Sequence, residues 1–280
     1  VILFENVRIE NNTNNEWKGL DDAMFLVENT VFKGTNLVFS NNDWTIPYIF
    51  NDYSSIGFNA WLFSGIQIQG ETFRGLTYFS FDSSFVPSEP GNLDYRTTLF
   101  ENGTFANIML KSSTLFTIRT SFIIITGNSF SNISSDPNGH LLSFTGIPTS
   151  QLGFERDYRI EDYIYKAEPM IIEKFDVYFL NCQKDSVVYG CYFVDIESNL
   201  FRDISLSNGD VMLVPDQSQE YSSLFIFTKN IASDIQSTNG SYANIQNRFY
   251  GMIFESNILD NSYVVRGFWI PTSSYLPTGQ

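Results

Sequence analysis

At 280 residues and 43% hydrophobic content, the chain is long enough to bury a substantial core, and no linker-like stretch divides it. Its net charge of −15 comes from scattered acids, 31 Asp and Glu against 16 Lys and Arg, which excludes the basic stripe that a nucleic-acid partner needs. No apolar run reaches the length of a bilayer span, the strongest being the strand-sized run at 122–125.

Only 17% of residues are charged, while 27 Phe and 15 Tyr stand among abundant Asn, Ser and Thr. That is the composition of strands joined by polar turns, and the chain is expected to be all-β. Val1-Ile2-Leu3-Phe4 opens the chain as a strand rather than as a leader, so either a leader has been removed or the chain is cut from something longer. Strands are then predicted at Phe25-Leu26-Val27, Leu37-Val38-Phe39, Ile66-Gln67-Ile68-Gln69, Leu115-Phe116-Thr117-Ile118, Val177-Tyr178-Phe179-Leu180, Val211-Met212-Leu213-Val214 and Leu224-Phe225-Ile226-Phe227. Each is rich in β-branched or aromatic residues and bounded by Asn, Gly, Ser or Asp. No apolar period of 3.6 extends over a helix-length window.

Between these strands a phrase recurs: a small or polar residue, an aromatic, two small or polar residues, then an aliphatic. Thr72-Phe73-Arg74-Gly75-Leu76, Thr104-Phe105-Ala106-Asn107-Ile108, Ser129-Phe130-Ser131-Asn132-Ile133, Leu200-Phe201-Arg202-Asp203-Ile204 and Ser241-Tyr242-Ala243-Asn244-Ile245 write it, with a looser copy at Val31-Phe32-Lys33-Gly34-Thr35. Several copies follow Asn beside an acid or Gly, as in Glu28-Asn29, Glu101-Asn102, Gly127-Asn128 and Glu197-Ser198-Asn199, and Glu255-Ser256-Asn257 gives the opening without the aromatic. Self-similarity of this kind signals stacked units that cannot bury their apolar faces alone. The spacing suggests turns of about 20 to 25 residues, separated by insertions.

The phrase resembles the coils of the right-handed parallel β-helix of the pectin-lyase-like superfamily, written Asn-x-Phe-x-x-Ile or similar. The resemblance implies a right-handed single-stranded parallel β-helix, a solenoid with irregular loop insertions, over residues 1–271, followed by a polar tail at 272–280. Inward aromatics would stack on their equivalents one coil away, and Asn at bends would bond to adjacent coils while tolerating left-handed backbone angles. A β-sandwich or a propeller competes, since the intervals from Phe32 to Phe73 and from Phe201 to Tyr242 are close to a blade length of about 40 residues.

Many proteins of that fold act on polysaccharides, and the residues their chemistry needs are the test. A hydrolase needs closely spaced carboxylates with a Gly-His-Gly, yet the one histidine, His140, stands in Asn138-Gly139-His140-Leu141 and is expected to be a surface turn residue. A lyase needs clustered Asp for Ca²⁺ and an Arg base, and the nearest approaches are Asp21-Asp22 and Arg156, Asp157, Arg159, Glu161 and Asp162. These are read as solvated loops with local ion pairing. No Gly-x-Ser-x-Gly elbow and no phosphate-binding glycine motif occurs. Trp17, Trp44, Trp61 and Trp269 are candidates for stacking on sugars, against the commoner reading of buried packing.

No cofactor, metal or catalytic residue is expected. Four Asn-x-Ser/Thr sequons, at Asn11, Asn102, Asn132 and Asn239, are acceptors for N-glycans if the chain is secreted. Cys182 and Cys191 flank a short polar segment and either form a disulfide or stay as two buried thiols. A solenoid has two raw ends that need covering; the opening coil, Val1 to Ile9, has no polar cap before it, and the polar, Pro-containing tail from Thr272 to Gln280 cannot be a long final coil. The expectation is therefore an extracellular or cell-surface structural glycoprotein, not an enzyme, forming a segment or subunit of an elongated structure or filament. Its partners would be copies of itself or further segments of the same chain, with extracellular carbohydrate as a further ligand. A carbohydrate-binding adhesin and a polysaccharide lyase or glycoside hydrolase stand behind that expectation.

Overall fold

The computed structural model describes residues 1–14, 23–27, 31–52, 60–82, 97–119, 122–136, 140–144, 192–214, 223–246, 251–264 and 266–269. These form strands and bends with no helix, so none is long and apolar enough to cross a membrane among the described residues. The strands fall into eight successive rungs. The first holds β1 (Ile2–Glu5), β2 (Arg8–Glu10), β3 (Thr13–Asn14) and β4 (Ala23–Val27). The second holds β5 (Val31–Thr35), β6 (Val38–Ser40), β7 (Asp43–Trp44) and β8 (Tyr48–Asp52), and the third β9 (Ala60–Ser64), β10 (Gln67–Gln69), β11 (Thr72–Phe73) and β12 (Thr77–Asp82). From the fourth rung there are three strands each: β13 (Thr97–Glu101), β14 (Thr104–Leu110) and β15 (Thr114–Arg119), then β16 (Phe122–Thr126), β17 (Ser129–Ser135) and β18 (Leu142–Phe144). The sixth rung has β19 (Tyr192–Glu197), β20 (Leu200–Leu206) and β21 (Met212–Val214), and the seventh β22 (Ser223–Thr228), β23 (Ile231–Ser237) and β24 (Ser241–Ile245). The eighth has β25 (Gly251–Glu255), β26 (Ile258–Asp260) and β27 (Arg266–Trp269).

Strands of successive rungs pair in parallel and in order, building three sheets. The first runs β1-β5-β9-β13-β16-β19-β22-β25, the second β2-β6-β10-β14-β17-β20-β23-β26 with β3, β7 and β11 beside it, and the third β4-β8-β12-β15-β18-β21-β24-β27. This regular stacking is consistent with a solenoid. Bonds between rungs join residues 25, 27, 29, 30 or 31 apart, and 71 apart where residues 145–191 intervene. The repeat is therefore longer than the 20 to 25 residues that the sequence suggests, because each rung has to supply three strands.

Two bends per rung set the geometry. At the first, between the first and second sheets, Asn6, Asn36, Gly65, Asn102, Gly127, Ser198, Lys229 and Ser256 all have positive φ. At the second, beside or within the second sheet, Asn11, Asn41, Gly70, Asn107, Asn132, Asp203, Asp234 and Asn261 do. Asn and Asp tolerate this left-handed region and Gly enters it freely, which explains why the rungs are punctuated by these residues. In the first seven rungs each first-bend N–H donates to a carbonyl of the next rung, as Asn36 does to Ser64 and Ser198 to Thr228, so the chain turns there without orphaning its backbone.

The side chains between the sheets form one apolar cluster. In the third sheet, Phe25, Phe50, Phe79 and Phe116 stack ring on ring at 4.7, 5.0 and 4.8 Å. In the second, Phe105, Phe130 and Phe201 do so at 4.8 and 5.0 Å. The in-register parallel pairing brings like residues together at the strand spacing, and offset rings favour it. The recurring phrase thus marks a true column at Phe105, Phe130 and Phe201. Phe32 lies instead in the first sheet, Phe73 in the second sheet opposite Leu110, and Tyr242 in the third. Any inward aromatic that follows a turn writes a similar phrase, whichever sheet it enters.

Candidate functional site

The residue that follows each bend points inward, and here the polar chemistry of the molecule is concentrated. After the first bend these residues are Val7, Leu37 and Ile66 in the first three rungs, then Gly103, then Asn128, Asn199, Asn230 and Asn257. The asparagines form a ladder. The Gly103 N–H donates to Asn128 Oδ1 at 2.8 Å, and the N–H groups of Asn128, Asn199 and Asn230 each donate to the next Oδ1 at 3.0 Å. Each Nδ2 reaches back to a carbonyl of the preceding rung: Asn128 to Phe100, Asn199 to Ile125, Asn230 to Ile196 and Asn257 to Phe227. A Cβ at Gly103 would lie 2.8 Å from Asn128 Oδ1, so the ladder begins on the one residue that leaves room for it.

After the second bend the order is reversed. Asn12, Asn42 and Glu71 come first, then Ile108, Ile133, Ile204 and Ile235, and finally Ser262. The Asn12 N–H donates to Asn42 Oδ1 at 2.8 Å, and the Asn42 N–H and Nδ2 donate to Glu71 Oε1 at 3.1 and 2.8 Å. Glu71 Oε2 accepts from Trp44 Nε1 at 2.6 Å and from the Tyr78 hydroxyl at 3.3 Å. Burial pushes the Glu71 carboxyl above its ordinary range against the pull of these donors, and burial beside Glu71 pushes the Tyr78 phenol up as well. Raised carboxyls mark many catalytic acids, but Glu71 is 1% exposed and both its oxygens are held by protein donors. It ends a ladder, with both oxygens engaged by protein donors.

His140 is not the surface turn residue that its Gly-containing context suggests. It is half-buried, and its Nδ1 accepts from the Asp210 N–H at 3.0 Å. Asp210 is buried in turn and takes the Ser241 N–H at 2.6 Å and Asn244 Nδ2 at 2.9 Å, linking three rungs. Burial lowers the His140 pKa, keeping the imidazole neutral as the acceptor requires. The cause is tertiary, since Asp210 lies 70 residues away in the chain.

Trp44 and Trp61 are buried, at 4% and 0% exposure, with Trp61 Nε1 on Asp52 Oδ2 at 3.2 Å. Neither can stack on a sugar. Trp17, the side chain of Trp269, Asp21-Asp22, the Arg156 to Asp162 segment, Cys182, Cys191, the strand predicted at 177–180 and the tail at 272–280 lie outside the described residues. Among the described residues no group of three or more His, Cys, Asp or Glu is placed to hold a metal ion.

All four sequon asparagines are exposed. Asn11 and Asn132 sit at second bends and Asn102 at a first bend, each with positive φ, while Asn239 lies in the turn between β23 and β24. Asn132 Nδ2 donates to Asn107 Oδ1 at 2.7 Å and Asn239 Nδ2 to Asn208 Oδ1 at 2.6 Å. A side-chain amide has two N–H groups, so a glycan on one leaves the other for this bond.

Depressions in the surface lie at the two ends of the stack. One lies between Arg8, Asn12, Met24 and Trp44, the other between Asp234, Asn261, Ser262 and Tyr263. Among the described residues, the end strands β1, β2 and β4, and β25, β26 and β27, each pair on one side only. Ile2, Leu3, Met24 and Leu26 are exposed at one end and Ile258 and Tyr263 at the other. Comparison with protein-family models, with curated proteins and with solved structures found no match to this chain.

Proposed function

We propose that the chain is an extracellular structural glycoprotein, a right-handed single-stranded parallel β-helix of the pectin-lyase-like kind that forms part of an elongated surface structure and carries out no catalysis. Right-handedness follows from the general hand of parallel crossovers. The observation that carries the reading is the pair of outermost rungs: among the described residues their strands pair on one side only, and Ile2, Leu3, Ile258 and Tyr263 are exposed there, as expected of a stack that is continued. Exposure of all four sequon asparagines supports the extracellular part, and the burial of Trp44 and Trp61 removes two of the aromatics on which a carbohydrate-binding alternative would rest.

The test is glycopeptide mass spectrometry on the protein purified from its native source, together with negative-stain imaging of the same material. At least two occupied sites among Asn11, Asn102, Asn132 and Asn239, and rod-shaped or filamentous particles, are the expected result. Unmodified asparagines in a compact particle would overturn it, as would turnover of a polysaccharide by the purified chain.

A further inference from the structure

We infer that the edge of the eighth rung fits a parallel β-rung that carries a hydroxyl residue and an asparagine around its first bend, and not the first rung of a second copy of this chain in strand register. The inference deepens the proposed function and rests on its reading of the stack as continued at its ends.

Three columns define what can sit beyond the eighth rung. In the ladder, every asparagine N–H from Asn128 onward finds the Oδ1 of the next rung. Asn257 presents the same N–H outward, and among the described residues it meets no acceptor. Stacking the first rung of a second copy there would place Val7 over it, a side chain that cannot supply the Oδ1 that each earlier asparagine of the ladder receives.

A second column lies on the outside of the first sheet, at the residue before each first bend. Its members pair in the order Glu5, Thr35, Ser64, Glu101, Thr126, Glu197, Thr228, Glu255. From Ser64 onward acids and hydroxyl residues alternate, and no acid faces an acid anywhere along the column. A second copy would break that rule at once by setting Glu5 against Glu255. The third column, at the end of the short second-sheet strands, holds Glu10 opposite Ser40 at one end and Asp260 opposite Ser233 at the other. Joining copies would set Glu10 against Asp260, with Arg8 already engaged by Glu10 at 2.9 Å. Like charges directly opposite on neighbouring strands repel.

The apolar columns pose no such objection. Phe254 would meet Phe4 and Leu259 would meet Ile9, all four half-buried against the core. The edge of the eighth rung therefore accepts a rung but rejects this chain's first rung. Within the chain the fitting form is Thr126-Gly127-Asn128 and Thr228-Lys229-Asn230, a hydroxyl residue, a bend residue and asparagine.

Sedimentation velocity on the full chain from 1 to 200 µM tests this, the range being set by the affinities of stable interfaces, roughly micromolar and tighter. The wild type is expected to stay monomeric, and to stay so in 1 M NaCl, where the acid pairs are screened but the Asn257 N–H still lacks an acceptor. The triple variant Glu5→Thr, Val7→Asn, Glu10→Ser rewrites the first rung in the fitting form and is expected to self-associate at least ten-fold more tightly, with Asn257→Leu abolishing the gain. End-to-end oligomers of the wild type at either salt concentration would overturn the inference. So would a triple variant that keeps the wild-type circular dichroism spectrum and melting profile and remains monomeric. Should the triple variant misfold, the salt series on the wild type still decides. Absence of glycans from the native protein would sink the extracellular reading and leave these outcomes unchanged.

Discussion

Rungs one to three and rungs five to seven solve the same problem with opposite chemistry. In rungs one to three the first bend is lined by Val7, Leu37 and Ile66 and the second by Asn12, Asn42 and Glu71; in rungs five to seven the first is lined by Asn128, Asn199 and Asn230 and the second by Ile133, Ile204 and Ile235. The switch falls at the fourth rung, where Gly103 and Ile108 leave neither bend polar. Where the second bend is polar, the second sheet breaks into three-residue and two-residue strands, because side-chain oxygens take the N–H groups that a neighbouring strand would take. Where it is apolar, the second-sheet strand runs unbroken for seven residues in β14, β17, β20 and β23. The polar ladder occupies one bend in rungs one to three and the other in rungs five to seven. The cores differ too: the early rungs are filled by stacked phenylalanines, while the third-sheet column passes to Leu142, Met212 and Ala243 in later rungs.

Unfolding experiments can break this contrast or sharpen it. Phe79→Ala removes the ring clamped between Phe50 and Phe116 and is expected to cost about 3–5 kcal/mol in chemical denaturation, whereas Met212→Ala should fall at or below the lower end of that range. Equal losses would mean that the aromatic half is not the better packed one. Next in size is Asn199→Leu, which leaves the Asn128 N–H without its acceptor and should cost about 1–3 kcal/mol. Amide exchange at Asn128 should rise with it, a local readout that a general loss of packing would not single out.

Two titrations separate the halves further. The Glu71 pKa is raised on folding, so between its ordinary value near 4.5 and the raised one the native state holds more protons than the unfolded state, and this group's contribution to stability falls as pH rises. The His140 pKa is lowered, so below its ordinary value near 6.5 the unfolded state holds more protons, and stability falls as pH drops toward the lowered value. Relative to wild type, Glu71→Gln should remove the first slope and His140→Gln the second, as read from melting temperatures between about pH 4 and pH 7. Matching slopes in the two variants would refute the assignment. The smallest effect is expected at Lys229, among the described residues the one long side chain at a positive-φ bend, with φ 55 against 42 to 57 at the asparagines. Lys229→Asn should gain about 0.5–1 kcal/mol from relieved backbone strain, after the loss of its exposed pair with Glu197 at 2.8 Å.

Much of the architecture was legible because bends and strands are local. The strands at Phe25 to Val27, Ile66 to Gln69, Leu115 to Ile118, Val211 to Val214 and Leu224 to Phe227 overlap β4, β10, β15, β21 and β22. The role of asparagine at bends was legible too, from Gly127-Asn128, Ser198-Asn199 and Ser256-Asn257. Lys229-Asn230 escaped because a lysine hides the bend. The alternation of acid and hydroxyl, the buried Glu71 and the His140 link were not legible, since each depends on which residues a rung of variable length sets side by side. Trp44 and Trp61 stand in polar sequence yet are buried, because alternation along a strand sends neighbours to opposite faces.

Spacing acids at every second rung has a consequence for the medium in which the stack is at ease. Glu101, Glu197 and Glu255 follow one another at two strand spacings, roughly 10 Å. That is about one screening length in 0.1 M salt and well inside it at millimolar salt. In brine these carboxylates barely sense each other; in fresh water they push apart over rungs four to eight, as far as the Lys229 ammonium beside Glu197 leaves their charge uncompensated, so dilution should lower the melting point of this acidic stack while seawater shelters it.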